Sequence, residues 1–332
     1  MRHFITGIQV IKLGNLENME IVLNKKERQH LILTGRNGSG KSLLLSGIRN
    51  YLASAGEGEF SGTNELYMNL LKDSSRKISQ ALTPAEKTEA LNNYKRNLEY
   101  VQKFSDGVEL IFNSAEDISA HCREGKFVTA YFPAGRRLRA VRAKGVEDIC
   151  PDRVYGIGDE PAALFVKYMI HLKTQQAYAR NEGDFGYADL IQRWFVRLDE
   201  ALRALSGDRS MHAEYSYREY DFLAVSNGRQ PVPFDRLSDG MSAALAIVAD
   251  LMLRMDYNWL EEGSLRRYDR EGIVLIDEPE AHLHVSLQKT ILPFLIRFFP
   301  GLQFIVATHS PYVRDSISNV MVYDLEEDFQ NP

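Results

Sequence analysis

Eight consecutive residues, Gly35-Arg36-Asn37-Gly38-Ser39-Gly40-Lys41-Ser42, constrain this chain more than any other stretch. An apolar, strand-like run at 30–33 precedes them and a helix-like run at 43–45 follows. In that setting the glycines let successive backbone N–H groups wrap inward around an anion, and the following helix adds the positive end of its dipole. Lys41 is spaced to reach the β- and γ-phosphates of a nucleoside triphosphate, and the Ser42 hydroxyl to ligate magnesium. Glycine and serine also make ordinary turns, but here every fixed position of the phosphate-loop pattern is filled. The reading is an α/β fold built around a nucleotide-binding loop.

Three later segments decide which kind. Asp235-Arg236-Leu237-Ser238-Asp239-Gly240-Met241-Ser242 precedes a long apolar, helix-like run at 243–255. An apolar strand beginning at Gly272 ends in the carboxylates Asp277 and Glu278, and a second beginning at Phe304 ends in His309. In this order the motifs resemble those of ABC-type P-loop ATPase heads: signature, Walker B with its catalytic glutamate, and switch histidine. Asp277-Glu278-Pro279-Glu280-Ala281-His282-Leu283-His284, then Gln288, is similar to the RecF and OLD-like branch, which includes stand-alone ATPases of bacterial anti-phage and toxin systems. Tyr131-Phe132-Pro133-Ala134-Gly135-Arg136-Arg137 resembles a further segment of that branch. Val285, where proline is common, is a mild departure.

The resemblance implies a fold and a chemistry. The fold is an ABC-type ATPase head with N-terminal antiparallel strands, a central mostly parallel sheet and a compact helical insertion. Phosphoryl transfer to water needs neutralised charge and a positioned nucleophile. Asp277 would hold magnesium directly or through water, Glu278 would orient or deprotonate the attacking water, and His309 would touch the γ-phosphate and report its presence. Ser238, Asp239 and Gly240 would complete the ATP site of an opposite subunit, aiming a hydroxyl, an N–H and a helix N-terminus at the γ-phosphate. One loop and one signature per chain then imply two ATP molecules sandwiched in a symmetric homodimer. Asp239 and Met241 replace the commoner Gly and Gln, placing an extra carboxylate near the phosphates. Ser238-Asp239-Gly240 also reads as a helix-start cap, and both roles are compatible.

The core is expected at 1–60 and 207–332. Residues 61–206 form a mainly helical insertion, with strands near 107–113 and 127–132 returning to the core. Strand-like runs at 4–11, 19–23 and 30–34 lead into the loop, and 56–62 is a glycine-rich break. Thr83-Pro84-Ala85-Glu86 reads as a capped helix start, followed by the stripe Leu91, Tyr94, Leu98 and Val101. A second helical pair carries Leu164, Tyr168 and Leu172, then Ile191, Trp194, Leu198, Leu202 and Leu205, with a turn at 181–184. Strands follow at 212–217 and 221–225. These stripes are too short for a long coiled-coil arm.

Composition narrows the class. At 332 residues, with 44% hydrophobic and 26% charged residues, the chain can bury a large core. Two cysteines exclude a disulfide framework, and His282 with His284 makes a poor metal pair because alternate residues share a side only in a strand. Those histidines read instead as part of a loop crossing the dimer interface. No apolar run spans a membrane and the N-terminus lacks a signal-peptide core, so the expected setting is the cytoplasm, with no membrane partner. The densest basic cluster, Arg136, Arg137, Arg139, Arg142 and Lys144, is a candidate contact for DNA or RNA or for an acidic protein face, against an overall charge of -5, with Arg136 or Arg137 alternatively facing nucleotide. OLD proteins carry a nuclease after the head, whereas this sequence ends soon after a strand-like run at 320–325. The expected output is therefore a separate nuclease or toxin in trans, with a RecF/SMC-like DNA-repair ATPase as the alternative and a transporter cassette fitting poorly.

Overall fold

The computed structural model describes residues 2–57, 61–114, 118–257, 259–260 and 268–326. Of the glycine-rich break predicted at 56–62, residues 56–57 belong to the first helix and 61–62 to the second, while 58–60 lie outside the described residues. Along the chain, β1 (Ile5–Leu13), β2 (Leu16–Val22) and β3 (His30–Thr34) lead to α1 (Lys41–Glu57). The hairpin α2 (Ser61–Gln80) and α3 (Pro84–Ser105) follows, then β4 (Val108–Phe112), α4 (Ile118–Arg123) and β5 (Phe127–Phe132). Next come α5 (Phe165–Asn181), α6 (Phe185–Ser206), β6 (His212–Ser216), β7 (Asp221–Val225), β8 (Val232–Pro233) and α7 (Asp239–Met255). The chain closes with β9 (Glu271–Asp277), α8 (Val285–Gln288), α9 (Ile291–Phe298), β10 (Leu302–Ala307), α10 (Pro311–Arg314) and β11 (Val320–Asp324).

Five of these strands form one sheet in the order β11-β3-β10-β9-β5, with every neighbouring pair parallel. Its central strands are apolar on both faces, as a sheet covered on both sides requires. Alternation divides them: Val274 and Ile276 of β9, Phe304 and Val306 of β10 and Ile32 of β3 enter one core with α5, α6, α7 and α9. Ile273, Leu275, Ile305, Ala307, Leu31 and Leu33 enter a second core with α1 and the antiparallel sheet β2-β1-β4. A third antiparallel sheet, β6-β7-β8, stacks Phe222 on Phe195 of α6.

The fold class expected from the sequence, antiparallel N-terminal strands beside a parallel sheet, is present. Thr83 caps α3 with the full reciprocal box to Glu86, as its spacing predicts. The buried face of α3 is shifted from expectation: Ala90, Asn97 and Val101 are buried while Leu91 is 38% exposed. Tyr94 and Leu98 pack with Val101 against Met68 and Leu71 of α2. In α6 all five predicted core residues, Ile191, Trp194, Leu198, Leu202 and Leu205, are buried. No helix among the described residues is long and apolar enough to cross a membrane.

Candidate functional site

Because the sheet is parallel, the C-terminal ends of its strands gather at one edge, where loops from several elements can converge. The loop after β3 holds Gly35, Gly38 and Gly40 at φ of 135°, 84° and 101°, a region that L side chains rarely enter. A Cβ on Gly35 would lie 2.6 Å from Ser39 Oγ, and one on Gly40 3.0 Å from Leu16. Lys41 Nζ donates to the carbonyls of Gly35 (2.7 Å) and Arg36 (2.8 Å), bridging the loop it follows. Burial lowers the pKa of this ammonium, and the surrounding Asp277, Glu278, Glu326 and Asp324 oppose that effect. Asn37, Gly38 and Ser42 are exposed around the cradle, while Ser39 is buried. Arg36 is tied by its backbone N–H to Glu326 Oε1 at 2.6 Å, just beyond β11.

Asp277 ends β9 and is buried; its neighbour Glu278 has φ of 47°, and its N–H donates to Ala307 O at 2.8 Å. A non-glycine residue in the left-handed region stores strain that the surroundings must hold. The holding group is Arg136. Its Nη1 donates to the carbonyls of Asp277 (2.9 Å) and Pro133 (3.2 Å), and its Nη2 to those of Pro279 (3.1 Å) and Glu278 (3.3 Å). Burial pulls its pKa down to about 10, with Glu280, Asp277 and Glu278 opposing, so it stays cationic at neutral pH. Arg136 is only 7% exposed, which removes it from the basic surface expected to touch nucleic acid. Arg137, Arg139, Arg142 and Lys144 remain exposed.

Glu280 does for the switch loop what Arg136 does for the Walker B turn. Its Oε1 accepts from Thr308 Oγ1 (2.7 Å) and from the N–H groups of His309 (2.8 Å) and Ser310 (3.1 Å). Ser310 Oγ in turn donates to Gln288 Oε1 at 2.8 Å. His309 is left with its side chain exposed. Arg136 Nε and Glu280 Oε2 are both buried without a hydrogen-bond partner among the described residues. The two side chains thus form the buried interior of the site. Sequence reading assigned neither of them this task.

The signature residues stand elsewhere. Ser238, Asp239 and Gly240 start α7 and line a cavity of about 660 Å³ with Arg236, His282 and His284, in which none of residues 35–42 takes part. Ser238 occupies the N-cap position, but its side chain makes no capping hydrogen bond, so the simple helix-cap reading fails. A Cβ on Gly240 would lie 2.5 Å from the His282 carbonyl, which explains glycine there. Asp239 pairs with Arg137 at 3.2 Å, so the extra carboxylate is matched by a cation of the same chain. His282 and His284 are exposed and join no third metal-binding side chain among the described residues.

Residues 60–315 match the family described as "AAA domain, putative AbiEii toxin, Type IV TA system". The phosphate loop precedes that span. The "Septu protein PtuA" of Bacillus mycoides (strain KBAB4) is 44% identical over 327 residues, 93% of this chain and 38% of that protein. The "Retron Ec83 probable ATPase" of Escherichia coli is 42% identical over 104 residues, 31% of this chain and 19% of that protein. A second Septu protein PtuA, from Bacillus thuringiensis, is 30% identical over 108 residues, 32% of this chain and 27% of that protein. The aligned spans therefore cover well under half of these relatives. Among solved structures, an SMC head bound to the C-winged helix domain of ScpA aligns over 96% of this chain and 94% of that one, at 13% identity and a TM-score of 0.43. That likeness is too remote to add to the fold described above.

Proposed function

The chain belongs to the AAA-domain family matched over residues 60–315, and on that premise we propose an ATP-hydrolysing switch whose sites are completed across a homodimer and whose output is a separate effector. One observation carries the reading. The phosphate loop, the Asp277-Glu278 turn and the His309 loop share the sheet edge, whereas Ser238, Asp239 and Gly240 line a different cavity. A second copy placed head to tail would bring its signature residues to this chain's loop.

The residues fit a magnesium-bound triphosphate. The three positive-φ glycines leave N–H groups free to turn inward, Gly38 has open space around its α-carbon, and a lysine stands among four carboxylates. Magnesium held by Ser42 and Asp277 would neutralise charge on the transferred phosphoryl group. Lys41 would exchange its two carbonyl contacts for phosphate oxygens. Glu278, held by Arg136 through its own and its neighbours' carbonyls, would take the proton of the attacking water. His309, fixed at its backbone by Glu280, would contact the γ-phosphate, so loss of that phosphate would be felt where the two chains meet.

The role in anti-phage defence rests on likeness to proteins bearing the names of Septu and retron components. The effector in this proposed role is a nuclease or toxin. A direct DNA reading keeps one supporting observation, the exposure of Arg139, Arg142 and Lys144. The test is affinity capture of tagged Glu278→Gln protein from its host with ATP and magnesium. A stoichiometric nuclease or toxin supports the switch. DNA alone on the captured variant, with DNA-stimulated turnover by the wild type, replaces it by the repair reading.

A further inference from the structure

We propose that His3, His121 and Glu271 form a binding site for a divalent transition metal of the zinc type, at the sheet edge opposite the phosphate loop. Glu271 opens β9, His3 lies just before β1 and His121 lies in α4, so three separate elements meet there. The Glu271 carboxylate is oriented by the backbone: its Oε2 accepts the His3 N–H at 2.7 Å. Its Oε1 faces His3 Nδ1 at 3.0 Å and His121 Nδ1 at 3.5 Å. One ligand atom from each of the three residues lies within 4.8 Å of the others. A tetrahedral ion with bonds of about 2.0–2.1 Å holds its ligand atoms about 3.3 Å apart, and the two measured separations bracket that edge.

Protons alone leave this cluster incomplete. A proton shared between His3 and Glu271 satisfies their contact, but His121 Nδ1 is buried and has no hydrogen-bond partner among the described residues. Its approach to Glu271 has the length of an ion pair without the geometry of a hydrogen bond. An ion between the three groups would use that nitrogen, His3 Nδ1 and Glu271 Oε1 together. Two imidazoles and one carboxylate select a metal of borderline softness over magnesium or calcium, and three protein ligands leave a fourth position for water. The hydrogen bond to Glu271 Oε2 is the outer support that ligating carboxylates need. The His3 side chain is 1% exposed and that of His121 31%, so the open position would face outward on the α4 side. An ion there would fasten the first strand and α4 to the start of the strand that carries Asp277.

The test uses the full chain stripped with chelator, then titrated with zinc by calorimetry, with metal content measured after dialysis. One zinc per chain is expected for the wild type, for Lys41→Ala and for the double variant His282→Ala/His284→Ala, with a higher thermal midpoint when loaded. His121→Ala is expected to weaken binding by about 100-fold or more, and Glu271→Gln likewise. His121 is partly exposed, so its variant keeps the test open if Glu271→Gln fails to fold. Absence of stoichiometric zinc in the wild type, or binding unchanged in His121→Ala, overturns the proposal. The Lys41→Ala arm keeps this result separate from any failure at the nucleotide loop.

Discussion

In the proposed site Lys41 serves binding and Glu278 hydrolysis, and substitutions should separate the two. Lys41→Ala removes the one cation the loop encloses, and ATP binding measured with a fluorescent analogue is expected to fall below detection. Glu278→Gln keeps size and hydrogen bonding but removes the base, so ATP should still bind while turnover falls about 100-fold or more. Glu280→Gln tests the positioning role: ATP affinity should hold within a few fold while single-turnover hydrolysis slows by about tenfold, because His309 loses its charged anchor. Arg136→Met should lower the urea-unfolding free energy by about 3 kcal/mol, since four carbonyls lose a buried charged donor. The residues proposed to touch nucleotide were legible because phosphate and magnesium demand particular side chains at fixed spacing. Arg136 and Glu280 were not, because they bind backbone carbonyls and amides of distant loops. Both lie in segments that resemble the family, but which backbone groups they hold is set only by the fold. Arg136 therefore read as part of a basic run or as a residue facing nucleotide, not as the clamp of the Asp277-Glu278 turn.

Among the elements, α7 carries the clearest pH signature. Asp256 caps its C-terminus, is fully buried, and accepts a hydrogen bond from Trp194 Nε1 at 2.7 Å. Burial raises its pKa to about 7, opposed by hydrogen bonds including that from Trp194. The folded state thus retains a proton that the unfolded chain releases near pH 4, and this contribution is lost as pH rises from about 4 through 7. His30, whose Nδ1 accepts the Phe304 N–H, runs the other way. Burial, with Arg28 adding, lowers its pKa to about 4, so its contribution is lost as pH falls from about 6.5 toward 4. The two slopes oppose each other in the wild type. Asp256→Asn removes one of them: the variant should gain roughly 3 kcal/mol on the wild type between pH 4 and pH 8 in denaturant melts. An unchanged difference across that range would contradict the buried, protonated carboxyl. Periodicity predicted α6 well because a two-sided core fixes its stripe, and the α3 start because capping is local. In α3 it placed Tyr94, Leu98 and Val101 correctly in a small satellite core but missed buried Asn97 and included exposed Leu91.

At the scale of the molecule, the parallel sheet explains why motifs far apart in sequence can act together. Its shared edge collects the ends of β3, β9 and β10, and Arg136 brings in the loop after β5. The same topology leaves the start of α7 beside His282, in a cavity to which the phosphate loop does not contribute. In the proposed switch, two chains make each site. Mixing Lys41→Ala, with a damaged loop and intact signature, and Ser238→Arg, with the reverse, tests it directly by steady-state phosphate release. Each variant alone should be inactive, and the mixture should regain turnover through dimers that contain one undamaged composite site. Wild-type turnover by Ser238→Arg alone, or a silent mixture of two folded proteins in which Ser238→Arg still binds ATP, would contradict the account.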